Sequence, residues 1–178
     1  RSGELRDMAA LTRRVHDSGA LVVWDLCHSA GALPVDLDGV HADFAVGCTY
    51  KYLNGGPGSP AFIYAAHRHL ENIRHPLSGW WGHARPFAFE PHYQGSAGVR
   101  RFLCGTPPIL SMRALQGALD IWQDVDLTAL RQKSVALADL FIELVEMQCG
   151  HFGLKLESPR DGARRGSQVS FAHANAYQ

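Results

Sequence analysis

Two short apolar runs, each leading to a residue able to do chemistry, constrain this chain most. Leu21-Val22-Val23-Trp24 ends in Asp25, and the run over residues 44–48 passes through Thr49 and Tyr50 to Lys51. Apolar runs this short, without alternation, fit strands covered on both faces, as in a parallel sheet. In open α/β sheets ligands gather beyond the carboxyl ends of the strands. Asp25 and Lys51 each follow such a run, so both are expected at the same sheet edge. A glycine-rich turn, Asn54-Gly55-Gly56-Pro57-Gly58, leads to a third run over residues 61–64.

The rest of the chain reads as an α/β protein. Leu5, Met8, Leu11 and Val15 have helical spacing and predict a helix over residues 4–18, with Gly19 as its C-cap. Strands are expected at 21–24, 42–48 and 61–64, with a loop at 31–40. Residues 67–105 are rich in aromatics, Pro and Gly and predict a long irregular segment, a feature that often carries function. Helix returns at 109–122, after Pro107-Pro108. A longer helix is expected at 127–147, with Leu130, Leu137, Leu140, Phe141, Leu144 and Val145 as its apolar face. Weak strands follow at 154–156 and 168–171, separated by a charged turn at 160–166. Strands spaced by helices argue for a mixed or parallel sheet. A composition shift near Val125 places a boundary between residues 1–124 and 125–178.

Charge and cysteine spacing exclude several classes. Seventeen basic and seventeen acidic residues cancel, so no basic field invites nucleic acid. No run of 18 apolar residues exists to span a membrane. Cys27, Cys48, Cys104 and Cys149 form no CxxC pair, which predicts free, mostly buried thiols in a cytoplasmic protein and no metal site. His67-Arg68-His69 is a weak metal signal. The chain opens without Met and closes on an apparent strand and loop in mid-course, which predicts an internal stretch of a longer polypeptide.

A lysine beyond a buried strand is useful as an amine that condenses with an aldehyde. Pyridoxal phosphate needs such a lysine, together with an Asp at its pyridine nitrogen. Taken alone, Asp25 could also be a helix N-cap or a turn-forming Asp, and His28 a satisfied structural histidine. The glycine turn is not a P-loop, since no Gly-Lys-Ser/Thr follows it.

The stretch VVWDLCHSAGALPVDLDGVHADFAVGCTYKYLNGGPGSPAFIY, continued by SGWWGH and FLCGTPPI, resembles the kynureninases. These are pyridoxal-phosphate enzymes of the aspartate-aminotransferase fold type I. The likeness runs from about Arg1 to Trp122 and, more loosely, beyond. It implies part of the large cofactor-binding domain, with a mostly parallel mixed sheet, followed by the start of a small C-terminal α/β domain. It implies Lys51 as the residue joined to the cofactor's aldehyde and Asp25 as the partner of the pyridinium nitrogen. His28 would lie by the ring oxygen or phosphate, and Tyr50 would donate its phenol to the phosphate. Trp80 and Thr106 match cofactor-contacting positions; each also has a plain reading, as a core aromatic and as a cap before the next helix. The catalytic set is then Lys51, Asp25 and Tyr50. The family's upstream ring-stacking segment and downstream substrate-carboxylate arginine have no counterpart in this sequence, and Arg164 and Arg165, in a polar turn, are not assigned that role.

The implied reaction is hydrolysis of L-kynurenine, or its 3-hydroxy form, to anthranilate and L-alanine in tryptophan catabolism and NAD biosynthesis. The rival readings are a cysteine desulfurase or related lyase of the same fold, and a truncated chain without activity. Cys104, the nearest candidate for a desulfurase thiol, is expected to be buried. The aromatic stretch LSGWWGHARPFAFEPHYQ predicts an interface, and the fold type implies a homodimer sharing its sites; an intrachain lid is the alternative.

Overall fold

The computed structural model describes residues 2–176. Arg1, at the head of the expected resemblance, and residues 177–178, at the end of the expected terminal loop, lie outside the described residues. Helix α1 spans Met8–Asp17. Asp7 caps it, its carboxylate accepting from the Ala10 N–H at 2.9 Å. Its end is closed as expected: Gly19 takes φ +75° and its N–H reaches the His16 carbonyl.

Three strands form the main sheet, β1 (Val23–Asp25), β2 (Phe44–Cys48) and β3 (Ala61–Ala65), in that order. β1 pairs with β2 in parallel and β2 with β3 antiparallel, so the sheet is mixed. Gly47 in β2 is where the Phe62 ring of β3 lies closest; a Cβ there would come within 2.3 Å of it. The core around this sheet is built from Leu26, Ala32, Leu33, Ala42, Ala45, Cys48 and Ala66.

The expectation that β1 is covered on both faces is not met. Trp24 turns toward α1, its indole N–H donating to the buried Thr12 hydroxyl at 3.1 Å. Val23 points the other way and is 61% exposed. Side chains alternate along a strand, and the described residues cover only one of the two faces here.

Asp43, the residue before β2, ties α1 to the sheet. Its carboxylate is 1% exposed. It accepts from the Val22 N–H at 2.9 Å and from Arg68 at 2.6 Å, and it pairs with the His16 and His69 rings at 2.8 and 2.7 Å. Burial opposes its charge, and these bonds overcome that, holding its pKa well below the usual carboxylate range. Arg68 and His69 of the HRH triplet are thereby used structurally. Asp43→Ala is expected to cost about 3 kcal/mol, the low end for breaking a buried ion pair, because Arg68 and His16 stay partly solvated. The folded-state pKa is lowered, so this stabilisation is full above about pH 4, where the unfolded chain is also ionised, and drains as pH falls through the folded value. Urea unfolding of the wild type and Asp43→Ala at pH 7 and pH 3 measures both effects; the gap between them should narrow at pH 3.

Residues 67–105 are irregular, with three 3₁₀ turns and an antiparallel bridge between His83 and Gly95. Arg101 stitches the segment, donating to the carbonyls of Ser96 and Ile73. Helix α2 follows at Ile109–Asp120 and helix α3 at Leu127–Cys149, the latter capped by Asp126. β4 (Lys155–Leu156) and β5 (Phe171–Ala172) form a separate antiparallel pair.

Two expectations about this last part are corrected. The buried positions of α3 are Ala138 and Ile142, whereas Leu137, Leu140, Phe141 and Leu144 are exposed. The helix turns its Arg131–Ser134–Ala138–Ile142 side inward, with Ser134 bonded to Ser167 at 3.0 Å. Arg165 is not a solvated turn residue but is completely buried. It pairs with Asp139 and donates to the carbonyls of Pro159 and Arg160. Arg131 donates in turn to the Gly162 and Arg165 carbonyls. Arg164 is exposed and pairs with Glu4. Neither arginine is free for a substrate.

Candidate active site

The parallel register of β1 and β2 brings Asp25 level with Val46. The segments leaving both strands therefore emerge at the same edge. Beyond β1, Gly31 adopts φ +82° and lies so near Tyr52 that a Cβ would meet its carbonyl carbon at 2.9 Å. This close approach packs the two loops together. The lysine loop is closed by its own hydrogen bonds: Asn54 N–H to Lys51, Gly55 N–H to Thr49, and the Thr49 hydroxyl to the Pro60 carbonyl at 2.5 Å. Asn54 at φ +61° and Gly56 at +75° turn the chain back into β3.

Lys51 and His28 meet at this edge, Nζ to Nε2, at 3.0 Å. Nζ also lies 5.4 Å from the centre of the half-exposed Tyr50 ring. Desolvation pulls the lysine pKa down, but the nearby Tyr50, Cys48 and Cys27 acids prevail and leave it raised. Asp25 Oδ1 accepts from the Cys27 N–H at 2.8 Å, so this Asp does build a turn. That bond first, then the Cys27 thiol, lowers its pKa, with His28 and Lys51 adding to the effect against desolvation. Asp25 is therefore a fixed, ionised carboxylate. The same contact pushes the Cys27 thiol up to about 11.

The thiol partnership was not legible in the sequence, where Cys27 and Cys48 stand far apart. The fold sets them at the ends of adjacent strands, with the Cys48 thiol on the Cys27 carbonyl at 3.6 Å. All four cysteines are free. Cys104, expected to be buried, is exposed; the turn before Gly105 leaves its thiol on the Leu77 carbonyl at the surface.

Two cavities flank the pair. One of about 820 Å³ lies between Lys51, Tyr52 and Gly31 on one side and Trp122, Lys133, Leu137 and Phe141 on the other. A second of about 350 Å³ is lined by Asp25, His28, Trp24 and the Gly3 and Gly166 segments. The Lys51–His28 bond thus joins the linings of two cavities.

Trp80 and Thr106 form a separate place in the chain. Gly79 sits against the Cys104 backbone, where a Cβ would overlap its carbonyl, so the segments bearing the two residues touch. Trp80 is 44% exposed, edge-on to Trp81 and Phe87, and is not a core aromatic. Thr106 is exposed and does not cap α2, whose N-cap is Pro108. Among the described residues no hydrogen bond or ring contact links either one to Asp25, His28, Tyr50 or Lys51. No group of His, Cys, Asp and Glu among the described residues could hold a metal ion.

Comparison with known proteins decides the family. Residues 130–178 match the family described as kynureninase C-terminal domain. A kynureninase from Burkholderia mallei (strain SAVP1) is 53% identical over all 178 residues, which make up 43% of that protein. The Pseudomonas fluorescens kynureninase is 53% identical over 177 residues and 42% of its length. The chain belongs to the kynureninase family. It spans less than half the length of these curated relatives. Among solved structures, a cysteine desulfurase from Thermococcus onnurineus NA1 matches with TM-score 0.75 at 23% identity, over 97% of this chain and 41% of that one. A second, from Escherichia coli, gives 0.77 at 21% identity, again over 97% of this chain and 41% of the other. At that identity the likeness establishes the fold, that of the fold-type I pyridoxal-phosphate enzymes, and nothing about the substrate.

Proposed function

We propose that the protein hydrolyses the Cβ–Cγ bond of L-kynurenine, giving anthranilate and L-alanine, with pyridoxal 5'-phosphate as cofactor. The observation that carries this reading is the match to kynureninases along the whole of this chain, combined with an ionised Asp25 and the Lys51 amine at one sheet edge. Those two residues fit the cofactor on their own chemistry: one has an amine for an aldehyde, the other a fixed negative charge for a pyridinium.

When bound, the cofactor supplies an electron sink. Lys51 Nζ would hold it covalently and, once displaced by the substrate amine, take the proton from the substrate Cα. Asp25 would keep the ring nitrogen protonated. Tyr50, its ring beside Nζ, would donate to the phosphate and is the nearest acid; His28 would contact the ring oxygen or phosphate. Water adds to the aryl ketone carbon, which leaves as the carboxylate of anthranilate. The Cβ electrons take up a proton and become the methyl group of alanine. Cofactor titration of the protein should give an aldehyde–lysine absorbance band that borohydride bleaches, with the mass tag on the peptide bearing Lys51. A tag elsewhere, or no band, would overturn the assignment.

The same proposal covers the organisation of the molecule. Residues 1–124 would form part of the cofactor-holding domain, and residues 125–178 a linking helix with part of a smaller one; the two separate sheets and the Asp126 cap support this division. Trp80 and Thr106 would contact the cofactor of a second subunit. Their segment carries Leu77, Phe87, Phe89 and Tyr93 exposed, which favours a homodimer over a lid. Sedimentation should show a dimer, and Phe87→Glu with Phe89→Glu should shift it toward monomer with loss of turnover; a monomer with full activity refutes the shared site. A cytoplasmic location completes the proposal, supported by four free thiols, while no helix among the described residues is long and apolar enough to cross a membrane.

A further inference from the structure

We infer that His28 is a latch on Lys51: its imidazole holds the lysine amine as an unreactive ammonium, and a ligand that engages His28 Nε2 releases it. This rests on the reading of Lys51 as the reactive amine. Nζ stands 3.0 Å from Nε2, a direct hydrogen bond between side chains 23 positions apart. An aliphatic amine is a far stronger base than an imidazole, so the shared proton stays on Nζ near neutrality, and Nε2 is the acceptor. An acceptor bonded to the charged form favours that form.

The charged and titratable neighbours act in the same sense. Tyr50 lies beside Nζ, and Cys48 and Cys27, at the strand ends below it, also favour the ammonium. Asp25, three residues before His28, adds a negative charge to the imidazole's surroundings. The His28 contact adds to these as a direct hydrogen bond, Nζ to Nε2. An ammonium has no lone pair and cannot attack an aldehyde; it must first lose its proton.

The placement of the bond gives the latch its use. Lys51 lines the larger cavity and His28 the smaller, polar one beside Asp25. A ligand anchored in the Asp25 cavity with an acidic oxygen near Nε2 would take over that nitrogen's hydrogen bond. Nζ would then lose its acceptor, and a several-fold larger fraction of it would stand as free amine at a given pH, with its lone pair open to the larger cavity. Docking at one cavity and reactivity at the other are thereby coupled through a single hydrogen bond. His28 is a positioning residue in this account, not a proton donor to the substrate.

The test reads Lys51 directly, without cofactor or turnover. The purified protein is labelled with formaldehyde and cyanoborohydride between pH 6 and pH 10, and methylation of Lys51 is followed by peptide mass spectrometry. His28→Phe, which removes the acceptor, should speed Lys51 labelling near pH 8 by roughly three- to tenfold, the effect of about half to one pKa unit. His28→Gln, whose amide oxygen can accept from an ammonium, should stay close to wild type. Lys133 serves as the internal reference and should label equally in all three. If the Phe variant does not fold, the ¹⁵N resonance of His28 Nε2 in wild type and in Lys51→Met gives the second readout, and a shift of that resonance is expected. Unchanged labelling in His28→Phe, equal acceleration in Phe and Gln, or an unmoved resonance overturns the latch. Failure of the cofactor assignment would instead show as a borohydride tag away from Lys51, so the two failures are distinguishable.

Discussion

Replacing Lys51 by alanine should abolish the borohydride-sensitive absorbance and nearly all turnover. Its amine meets His28 at the sheet edge that also carries Asp25, and it sits on the linings' common boundary. An alanine there cannot form a bond to an aldehyde, and Lys133 lies across the larger cavity on α3. The fold should survive, because the lysine loop is closed by backbone bonds and by the Thr49, Ser59 and Pro60 contacts, none of which uses the Lys51 side chain. A Lys51→Ala protein that retained a reducible lysine adduct would remove Lys51 from its assigned role. Circular dichroism of the variant separates this from unfolding.

Asp25→Asn should leave the protein folded and lower the rate by several orders of magnitude. The amide oxygen can still accept from the Cys27 N–H, so the turn beyond β1 persists. What disappears is the negative charge that the Cys27 contacts fix at this position. A neutral partner cannot keep a pyridine nitrogen protonated, and each tenfold loss of rate corresponds to about 1.4 kcal/mol of barrier. The thiol offers a second readout. With Asp25 neutral, the main cause of the raised Cys27 pKa is gone, and Cys27 should react faster with iodoacetamide at pH 8.5. Near-wild-type kynurenine turnover in Asp25→Asn would reduce Asp25 to a turn former.

Features set by neighbouring residues were the legible ones. The Gly19 end of α1, the short apolar strands and the extent of α3 each carry their cause within a few positions, whereas α1 starts at its Asp7 cap and not at the expected residue 4. The edge that unites Asp25 with Lys51 was also legible, because parallel strands send their following loops to one side. Features set by distant partners were not. Asp43 reads as an ordinary polar residue at a strand start, yet three basic side chains from α1 and the HRH triplet converge on it. Arg165 stands in a Gly- and Asp-rich turn that has every local mark of a solvated loop, and its burial follows from Asp139 on α3. The apolar pattern of α3 misled for a related reason: periodicity finds an apolar stripe but not which stripe the neighbouring segment covers. The Lys51–His28 bond lies between these cases. Both residues were singled out, but their contact depends on Gly31 packing against Tyr52, which spacing alone does not reveal.

The most direct measurement of the central claim is product analysis of the cofactor-loaded protein with two amino acids offered separately. With L-kynurenine, the account predicts equimolar anthranilate and L-alanine, followed by anthranilate fluorescence and by chromatography, and no product from Lys51→Ala. With L-cysteine, it predicts no release of sulfur and no alanine above background. Alanine and sulfane sulfur from cysteine, with no anthranilate from kynurenine, would contradict it and place the chemistry with the desulfurases whose fold it shares.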